Sequence, residues 1–199
     1  DYAVKQISKK NKSESSIIDC KKEVEILELL CDKKINPEGS SYLLKLFEYI
    51  EDNQDMWLVF EQGGRSLGNL MFKIKGEFHN NERIYSIKKG RFYQHLFSKD
   101  ANFKNFFRKL LESIYFMSCV NEVVHCDIKP DNILFDYDCS QDLDDDIDFS
   151  DMKLIDFGSA FKIENPDNFS SNTPEYMPPE ITELIERKAS SKEIYNFLK

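Results

Sequence analysis

The stretch VVHCDIKPDNILF, residues 123–135, brings four polar side chains together between two apolar runs. His125, Asp127, Lys129 and Asn132 lie within eight consecutive positions, and the runs on either side have the composition of short buried strands. Pro130 breaks the segment, and four polar side chains at this spacing are not expected to serve packing. We therefore predict a loop whose side chains are held in place for a reaction.

Composition limits the classes of protein to which the chain can belong. Its 199 residues carry a formal net charge of −9, which argues against a nucleic-acid-binding protein. The sequence has no apolar run near the ~18 residues of a membrane span and no signal peptide at DYAVKQISKK, so we expect no membrane partner. The five cysteines form no CxxC pair, which predicts reduced thiols and an intracellular, cytoplasmic protein.

Hydrophobic periodicity predicts an α+β chain with most of its strands in the first part. YAVKQI, YLLKLFEYI and MWLVFE read as strands, and residues 17–30 have helical spacing. Residues 103–117 predict a second helix whose phenylalanine-rich stripe belongs to the core, whereas residues 74–100 read as polar and irregular. Short strands are expected around Ile133 and Leu154. The separation of strands from helices predicts two lobes.

Two further motifs follow the polar loop. LIDFGSAF, residues 154–161, places an aspartate after a buried-type strand, and TPEYMPPE covers residues 173–180. In this order, HCDIKPDN, DFG and PPE resemble the catalytic loop, the metal-binding motif and the end of the activation segment of eukaryotic protein kinases. The resemblance extends from YAVK to PPE and implies a two-lobed protein-kinase-like fold.

The resemblance assigns a task to each polar residue of these motifs. Asp127 would act as the catalytic base on a substrate hydroxyl, and Lys129 would reach the transferred phosphate. Asn132 and Asp156 would hold Mg²⁺ through oxygen ligands, which suit a hard cation. The implied activity is transfer of the ATP γ-phosphate to a hydroxyl of a protein substrate. The lysine of DIKPDN and the position of Thr173 further resemble serine/threonine kinases.

Lys5 of YAVK resembles the strand lysine that grips the α- and β-phosphates of ATP. In the family this lysine pairs with a helix glutamate, and both Glu23 and Glu25 are candidates. Glu23 precedes the aliphatic pair that the family pattern requires, so we expect Glu23 to be the partner.

The adenine ring of the nucleotide would lie between side chains that resemble those of the family. Ala3 and Leu134 are expected to enclose the ring from its two faces. Phe60 stands directly before the hinge, and the main chain of Glu61 and Gly63 would hydrogen-bond the base.

The resemblance also predicts domain boundaries, with truncation at both ends. We expect residues 1–60 to be a remnant of the N-terminal lobe, residues 61–64 the hinge, and residues 65–199 an incomplete C-terminal lobe. The glycine-rich loop that precedes AVK in the family and the long helix that follows PPE have no counterpart in this sequence. We therefore expect a partial kinase domain, residues 1–199, that is poorly folded and nearly inactive by itself.

Cys126 departs from the family pattern, because many kinases have an arginine at this position. That arginine receives the phosphate of a phosphorylated activation segment, a charge-assisted contact that cysteine cannot make. We therefore expect that phosphorylation of Ser170 or Ser171 is not required for activity.

Residues 136–151 form an acidic insertion with eight aspartates and no base, so the remainder of the chain is nearly neutral. Read as an EF-hand calcium loop from Asp136, the segment has Gln141 where glycine is needed and Ile147 where glutamate is needed. The calcium template therefore fails. We expect a solvated, mobile loop, with docking of a basic partner as the alternative.

Two other functions fit part of the sequence. A pseudokinase or scaffold would keep the fold without activity, and the missing glycine-rich loop favours it. The presence of all five candidate residues argues against it: Lys5, Glu23, Asp127, Asn132 and Asp156. A small-molecule kinase of related fold is the second alternative. TPEYMPPE argues against that reading, because such enzymes generally lack this motif after DFG.

Overall fold

The computed structural model describes residues 1–10, 13–37, 41–80, 82–164, 173–190, 193, 194 and 196, and they form the α+β structure that was predicted. The strands are Tyr2–Ser8 (β1), Leu46–Glu51 (β2), Asp55–Glu61 (β3), Arg65–Ser66 (β4), Phe72–His79 (β5), Glu82–Lys89 (β6), Val123–Val124 (β7), Ile133–Phe135 (β8), Lys153–Leu154 (β9) and Phe161–Lys162 (β10). The α-helices are Glu14–Cys31 (α1), Leu67–Met71 (α2), Arg91–Leu96 (α3), Asp100–Tyr115 (α4) and Pro179–Glu186 (α5). Among the residues that the structure describes, no helix is long and apolar enough to cross a membrane.

The N-terminal part of the structure is a three-stranded antiparallel sheet in the order β1-β3-β2 with one helix, α1. Lys5 of β1 lies opposite Leu58 of β3, and Leu58 is fully buried. Leu27 and Leu30 of α1 are also buried, in the same hydrophobic cluster. The apolar spacing that predicted a helix over residues 17–30 therefore forms the buried side of α1.

The segment before β2 connects this sheet to the remainder of the chain. The predicted strand YLLKLFEYI is shorter than expected, because β2 begins only at Leu46. Leu43 instead forms an isolated bridge with Leu154 of β9. The Leu44 N–H donates to the Leu154 carbonyl at 3.2 Å, and the Leu154 N–H donates to the Tyr42 carbonyl at 2.9 Å. These main-chain bonds explain why the first residues of the stretch do not extend β2.

Short strands hold the polar loop of residues 125–132. The β8 strand pairs with both β4 and β9, and β7 pairs with β10, all antiparallel. Ile133, Phe135 and Leu154 are buried, so these two- and three-residue strands are stabilised by packing as well as by their few hydrogen bonds. The polar loop therefore lies close to Asp156, two residues after β9, because the Ile155 N–H donates to the Asn132 carbonyl at 3.0 Å.

Only part of the phenylalanine-rich stripe of α4 lies in the core. Phe106 is buried, as is Met117 in the π-helical turn Phe116–Val120 that follows α4. Phe103, Phe107 and Leu111 are 39%, 42% and 61% exposed, so the prediction that the whole stripe is core was wrong. Phe107 and Leu111 border an open groove of about 790 Å³. The apolar stripe is wider than the surface that the other described elements cover.

Residues 72–89 form a β-hairpin, so the prediction of an irregular segment was wrong. The β5 and β6 strands pair along their whole length, with Ile74 opposite Ile87. All the residues of both strands are exposed. Asn80 at the turn adopts a left-handed φ of 50°, which asparagine tolerates better than most residues. The alternation of apolar residues was present in the sequence, but the many charges between them made the segment read as a loop.

The acidic insertion is anchored to the protein, which contradicts the expectation of a solvated, mobile loop. Tyr137, Ile147 and Phe149 are buried, and the Phe149 ring lies 5.3 Å from the Phe135 ring. All eight aspartates remain exposed. Average composition suggested a solvated segment, but the few apolar residues between the aspartates are sufficient to hold it on the core.

Polar contacts of α3 and α4 hold the insertion in register. His95 is fully buried, with Nδ1 2.9 Å from the Tyr137 hydroxyl and Nε2 3.0 Å from the Asp145 carbonyl. Both ring nitrogens of His95 therefore have a hydrogen-bond partner in the insertion. Asn102, also fully buried, accepts a hydrogen bond from the Ile147 N–H at 3.0 Å and donates to the His95 carbonyl at 3.2 Å.

We predict that Asn102→Ala lowers the free energy of unfolding by about 2 kcal/mol, because it leaves the buried Ile147 N–H without its hydrogen-bond partner. Asn105→Ala is the matched control, since Asn105 lies in the same helix and its side chain makes no hydrogen bond among the described residues. Urea denaturation of the two variants measures the difference. Equal midpoints would show that Asn102 does not anchor the insertion.

Candidate active site

A cavity of about 360 Å³ lies between the N-terminal sheet and the short strands that follow. Its walls combine apolar residues with four polar ones: Ala3, Val4, Leu27, Leu44, Phe60, Leu134, Leu154, Ile155 and Phe157, with Lys5, Glu23, Asn132 and Asp156. The groove on α4 is larger, but none of these candidate residues lines it. An apolar cavity with a few convergent polar groups is the usual form of a small-molecule site.

Lys5 joins two carboxylates at the polar end of the cavity. Its Nζ lies 2.7 Å and 2.9 Å from the two carboxylate oxygens of Glu23, and 3.4 Å from Oδ1 of Asp156. Glu23 is buried, whereas Glu25 is exposed on the other side of α1. Of the two glutamates that the sequence offered, the structure thus places Glu23 against Lys5.

The pairing between Lys5 and Glu23 follows from the positions of β1 and α1. Lys5 lies in the middle of β1, where pairing with β3 sets its direction. Glu23 precedes Val24, and both are buried, so this part of α1 faces the interior. Burial alone would lower the pKa of Lys5, but Glu23 and then Asp156 outweigh it and raise that pKa above its ordinary value. Lys5 therefore stays charged at neutral pH.

Asp127 has both of its carboxylate oxygens hydrogen-bonded. Oδ1 accepts from the Thr173 hydroxyl at 2.7 Å, and Oδ2 accepts from Lys129 Nζ at 2.7 Å and from Asn132 Nδ2 at 2.9 Å. Lys129 Nζ also donates to the Thr173 hydroxyl at 2.6 Å. The structure therefore brings these four residues together, including the threonine that the sequence pattern had singled out.

These contacts determine the charge of the loop. Burial would raise the pKa of Asp127, but the hydrogen bonds from Lys129 and Thr173 outweigh it, so that the pKa lies below its ordinary value. The hydrogen bond to Asp127 in turn raises the pKa of Lys129. Asp127 is thus a carboxylate at neutral pH, which can only accept hydrogen bonds and is suited to orient a hydroxyl donor.

His125 and Cys126 support the loop from within. His125 is buried, its Nε2 lies 3.0 Å from the Ile155 carbonyl, and its ring packs 4.9 Å from the Phe157 ring. Burial lowers the pKa of His125, so the ring is neutral. Burial also raises the pKa of the Cys126 thiol to about 12, which makes it an uncharged group. Ser170 and Ser171 lie outside the described residues.

Asn132 and Asp156 offer oxygen ligands that fit a hard divalent cation. Asn132 Nδ2 donates to the carbonyl and to Oδ2 of Asp127, at 2.8 Å and 2.9 Å, which orients the amide of this buried side chain. Asp156 is exposed at the cavity. Its left-handed φ of 65° turns the chain two residues after the end of β9. No group of three or more metal-ligating His, Cys, Asp or Glu residues occurs in the described part of the chain. Such a pair suits Mg²⁺, because protein Mg²⁺ sites use few side chains and substrate phosphates complete them.

The residues expected around adenine lie at the apolar end of the cavity or next to it. Ala3 and Leu134 line the cavity, as does Phe60. A Cβ atom added to Gly63 would lie 2.6 Å from Leu134 Cδ1, so Gly63 packs directly against this wall. The Glu61 N–H donates to the Lys45 carbonyl at 3.0 Å, which leaves only its carbonyl as a possible contact for a base.

Sequence reasoning had not assigned Leu44 and Leu154 to the site. Both are buried and line the cavity. Leu154 could have been found, because it lies two residues before Asp156 in a strand. Leu44 could not have been found from the sequence, because the hydrogen bond between its N–H and the Leu154 carbonyl joins residues far apart in the chain.

Comparison with known proteins agrees with this arrangement. Residues 1–195 match the sequence profile of the protein kinase domain family. Curated relatives include serine/threonine-protein kinase 17A of Oryctolagus cuniculus, which is 26% identical over 91% of this chain and 38% of its own length. Calcium-dependent protein kinase 4 of Plasmodium falciparum is 28% identical over 91% of this chain and 28% of its own length. Death-associated protein kinase 2 of Mus musculus is 26% identical over 91% of this chain and 41% of its own length.

The chain thus spans less than half the length of these relatives, whereas the family profile covers nearly all of the chain. The matched region includes every residue of the cavity and of the Asp127 loop. A profile match of this extent, on a chain whose motifs meet around one cavity, shows that the chain belongs to the protein kinase domain family.

Proposed function

We propose that this chain is the catalytic region of a serine/threonine protein kinase, which transfers the γ-phosphate of ATP to a hydroxyl group of a protein substrate. The observation that carries the proposal is the convergence of Lys5, Glu23 and Asp156 at one end of a nucleotide-sized cavity. The Asp127 loop supports it, because Asn132 belongs both to that loop and to the cavity wall.

Each of these residues has a separate proposed role, which follows from its position in the site. Lys5 is charged and held by Glu23, so it presents a fixed cation to the α- and β-phosphates. Asn132 and Asp156 would hold Mg²⁺, which supplies positive charge against the phosphate oxygens. Asp127 would accept the hydrogen bond of the substrate hydroxyl and orient it as catalytic base, with Lys129 beside the transferred group.

Serine/threonine specificity rests on the contacts of Thr173. Its hydroxyl connects Asp127 and Lys129, the arrangement that the serine/threonine pattern of the sequence implied. The names of relatives such as serine/threonine-protein kinase 17A agree with this specificity. An intracellular, cytoplasmic location also belongs to the proposal, and the five free thiols are compatible with it.

The division into an N-terminal lobe (1–60), a hinge (61–64) and a C-terminal lobe (65–199) is likewise part of the proposal. It is supported by the end of β3 at Glu61 and the start of β4 at Arg65. The pseudokinase alternative keeps the fold without transfer of phosphate. The Lys5 and Glu23 ion pair and the ionised Asp127 favour catalysis over that alternative, because a scaffold needs neither.

We expect Asp156→Asn to lower kcat/KM by at least about 100-fold, because it removes a charge that would hold Mg²⁺ at the phosphates. Asp151→Asn is the matched control, since Asp151 is also an exposed aspartate but lies outside the cavity. Transfer of labelled phosphate from ATP to a generic protein substrate measures both variants. Equal rates for Asp156→Asn and the unaltered chain would overturn the proposal.

Glu23→Gln and Glu25→Gln form a second matched pair, two positions apart in one helix. We expect Glu23→Gln to lower kcat/KM for ATP by about tenfold or more, because Lys5 loses its buried anionic partner. Glu25→Gln should change it less than about twofold, as for an exposed charge. Steady-state kinetics with varied ATP concentration measure kcat/KM for both variants. Similar losses of kcat/KM in the two variants would contradict the pairing of Lys5 with Glu23.

Thr173 is proposed as a positioning residue for Asp127. We expect Thr173→Ala to lower kcat by about tenfold with little change in the KM for ATP, while Thr173→Ser retains most activity. Removing this hydrogen bond from the ionised form also raises the pKa of Asp127, so the acid limb of the pH profile of kcat/KM should move to higher pH. An unchanged pH profile in Thr173→Ala would contradict this role.

A further inference from the structure

The β5–β6 hairpin is an exposed arm with one apolar face. Side chains of directly opposed residues lie on the same face of a strand pair. The register therefore places five apolar side chains on one face of the arm: Phe72, Ile74, Phe78, Tyr85 and Ile87. Phe78 is 76% exposed and Ile87 is 65% exposed. A two-stranded hairpin is marginally stable in water by itself, and contiguous exposed apolar surface marks an interaction site.

The same face of the arm is basic. Arg83 lies directly opposite Phe78 and Lys89 lies directly opposite Phe72, so both bases belong to the apolar face. Both glutamates of the arm lie on the other face. The arm contains five bases and two carboxylates, although the whole chain has a net charge of −9. None of its bases takes part in an ion pair within the described residues. A partner for this arm therefore needs both apolar and acidic groups.

One surface of the same chain has this combination. Phe97 and Phe103 are 49% and 39% exposed, and their rings lie 5.3 Å apart. Beside them, the Ser98 hydroxyl donates to the Leu143 carbonyl at 2.8 Å, which places the exposed Asp142 and Asp144 of the acidic insertion next to this surface. We call Phe97, Phe103, Asp142 and Asp144 the receiving surface.

The arm and the receiving surface lie on one side of the molecule. Arg91, two residues after β6, donates to the Gln141 carbonyl of the insertion at 2.6 Å. At the base of the arm, the Phe72 ring contacts the Tyr93 ring at 5.7 Å, and Tyr93 contacts Phe97 at 4.6 Å. Beyond this base the arm is a strand pair about 26 Å long whose residues are all exposed, so it does not pack on its own receiving surface.

We propose that the arm docks on the receiving surface of a second copy of this chain, in a two-fold dimer with reciprocal contacts. The apolar face of each arm covers Phe97 and Phe103 of the partner subunit. Arg83 and Lys89, which lie on the same face, pack their aliphatic stems against it and bring their charged groups to Asp142 and Asp144 of the partner subunit. Such reciprocal contacts satisfy the symmetry of a two-fold dimer, in which each surface is used twice.

The size of the contact predicts a reversible dimer. Two arms of this length bury on the order of 1,000 Å² in total, which is at the lower end of specific interfaces. We therefore expect association in the micromolar range. Its charged part should weaken as salt rises, because the screening length falls from ~10 Å at 0.1 M to ~3 Å at 1 M. The dimer does not depend on the proposed activity.

A charge exchange tests the dimer in the full natural chain. In sedimentation velocity, the unaltered protein should dimerise. Arg83→Glu/Lys89→Glu and Asp142→Lys/Asp144→Lys should each weaken the dimer by at least about tenfold through repulsion. An equimolar mixture of the two variants should form a heterodimer, since both of its contacts are again attractive. Lys33→Glu/Lys34→Glu is the control, because it changes the net charge equally at exposed positions outside the arm.

Three results would overturn the dimer. The first is an unaltered protein that stays monomeric at about 100 µM and low salt. The second is a mixture of the two variants that does not associate. The third is a monomeric protein that binds vesicles of phosphatidylcholine and phosphatidylserine through Arg83 and Lys89, which would assign the arm to a lipid surface.

Discussion

The buried carboxylate of Glu23 is the constraint on which the cavity depends. A charge that is 4% exposed must have a partner, and Lys5 Nζ at 2.7 Å provides it. Lys5 lies on β1, Glu23 on α1 and Asp156 after β9, so one cation holds three separate parts of the chain together. Losing the cation would leave a buried charge, at a cost on the order of 3 kcal/mol.

The carboxylate of Asp127 also needs partners for its charge, and it has more of them than Glu23 has. Four donors surround one carboxylate, from Lys129, Asn132 and the hydroxyl and main chain of Thr173. Among the described residues no buried side-chain nitrogen or oxygen lacks a hydrogen bond. A loop of this kind stays in one conformation because each alternative would break several charge-assisted bonds. The site is thus organised by its own hydrogen bonds.

The acidic insertion and the hairpin show two ways of placing charge on a fold. The insertion exposes its aspartates but is held by three buried apolar residues and by the contacts of His95 and Asn102. The hairpin has no such anchor beyond its base, and its apolar face remains open. One segment is therefore a fixed acidic surface, and the other is an arm that gains stability from a partner.

The sequence by itself determined the family and the identity of the polar residues, because motif order, the spacing from Lys5 to Glu23 and helical periodicity are all local or one-dimensional signals. Tertiary structure decided which residues face one another. Leu44 reached the cavity only through its bond to Leu154, and the insertion was held by α3 and α4, which are distant in sequence. The exposure of Phe103 and of the hairpin likewise depended on what covers each face, and such long-range packing leaves no mark on local composition.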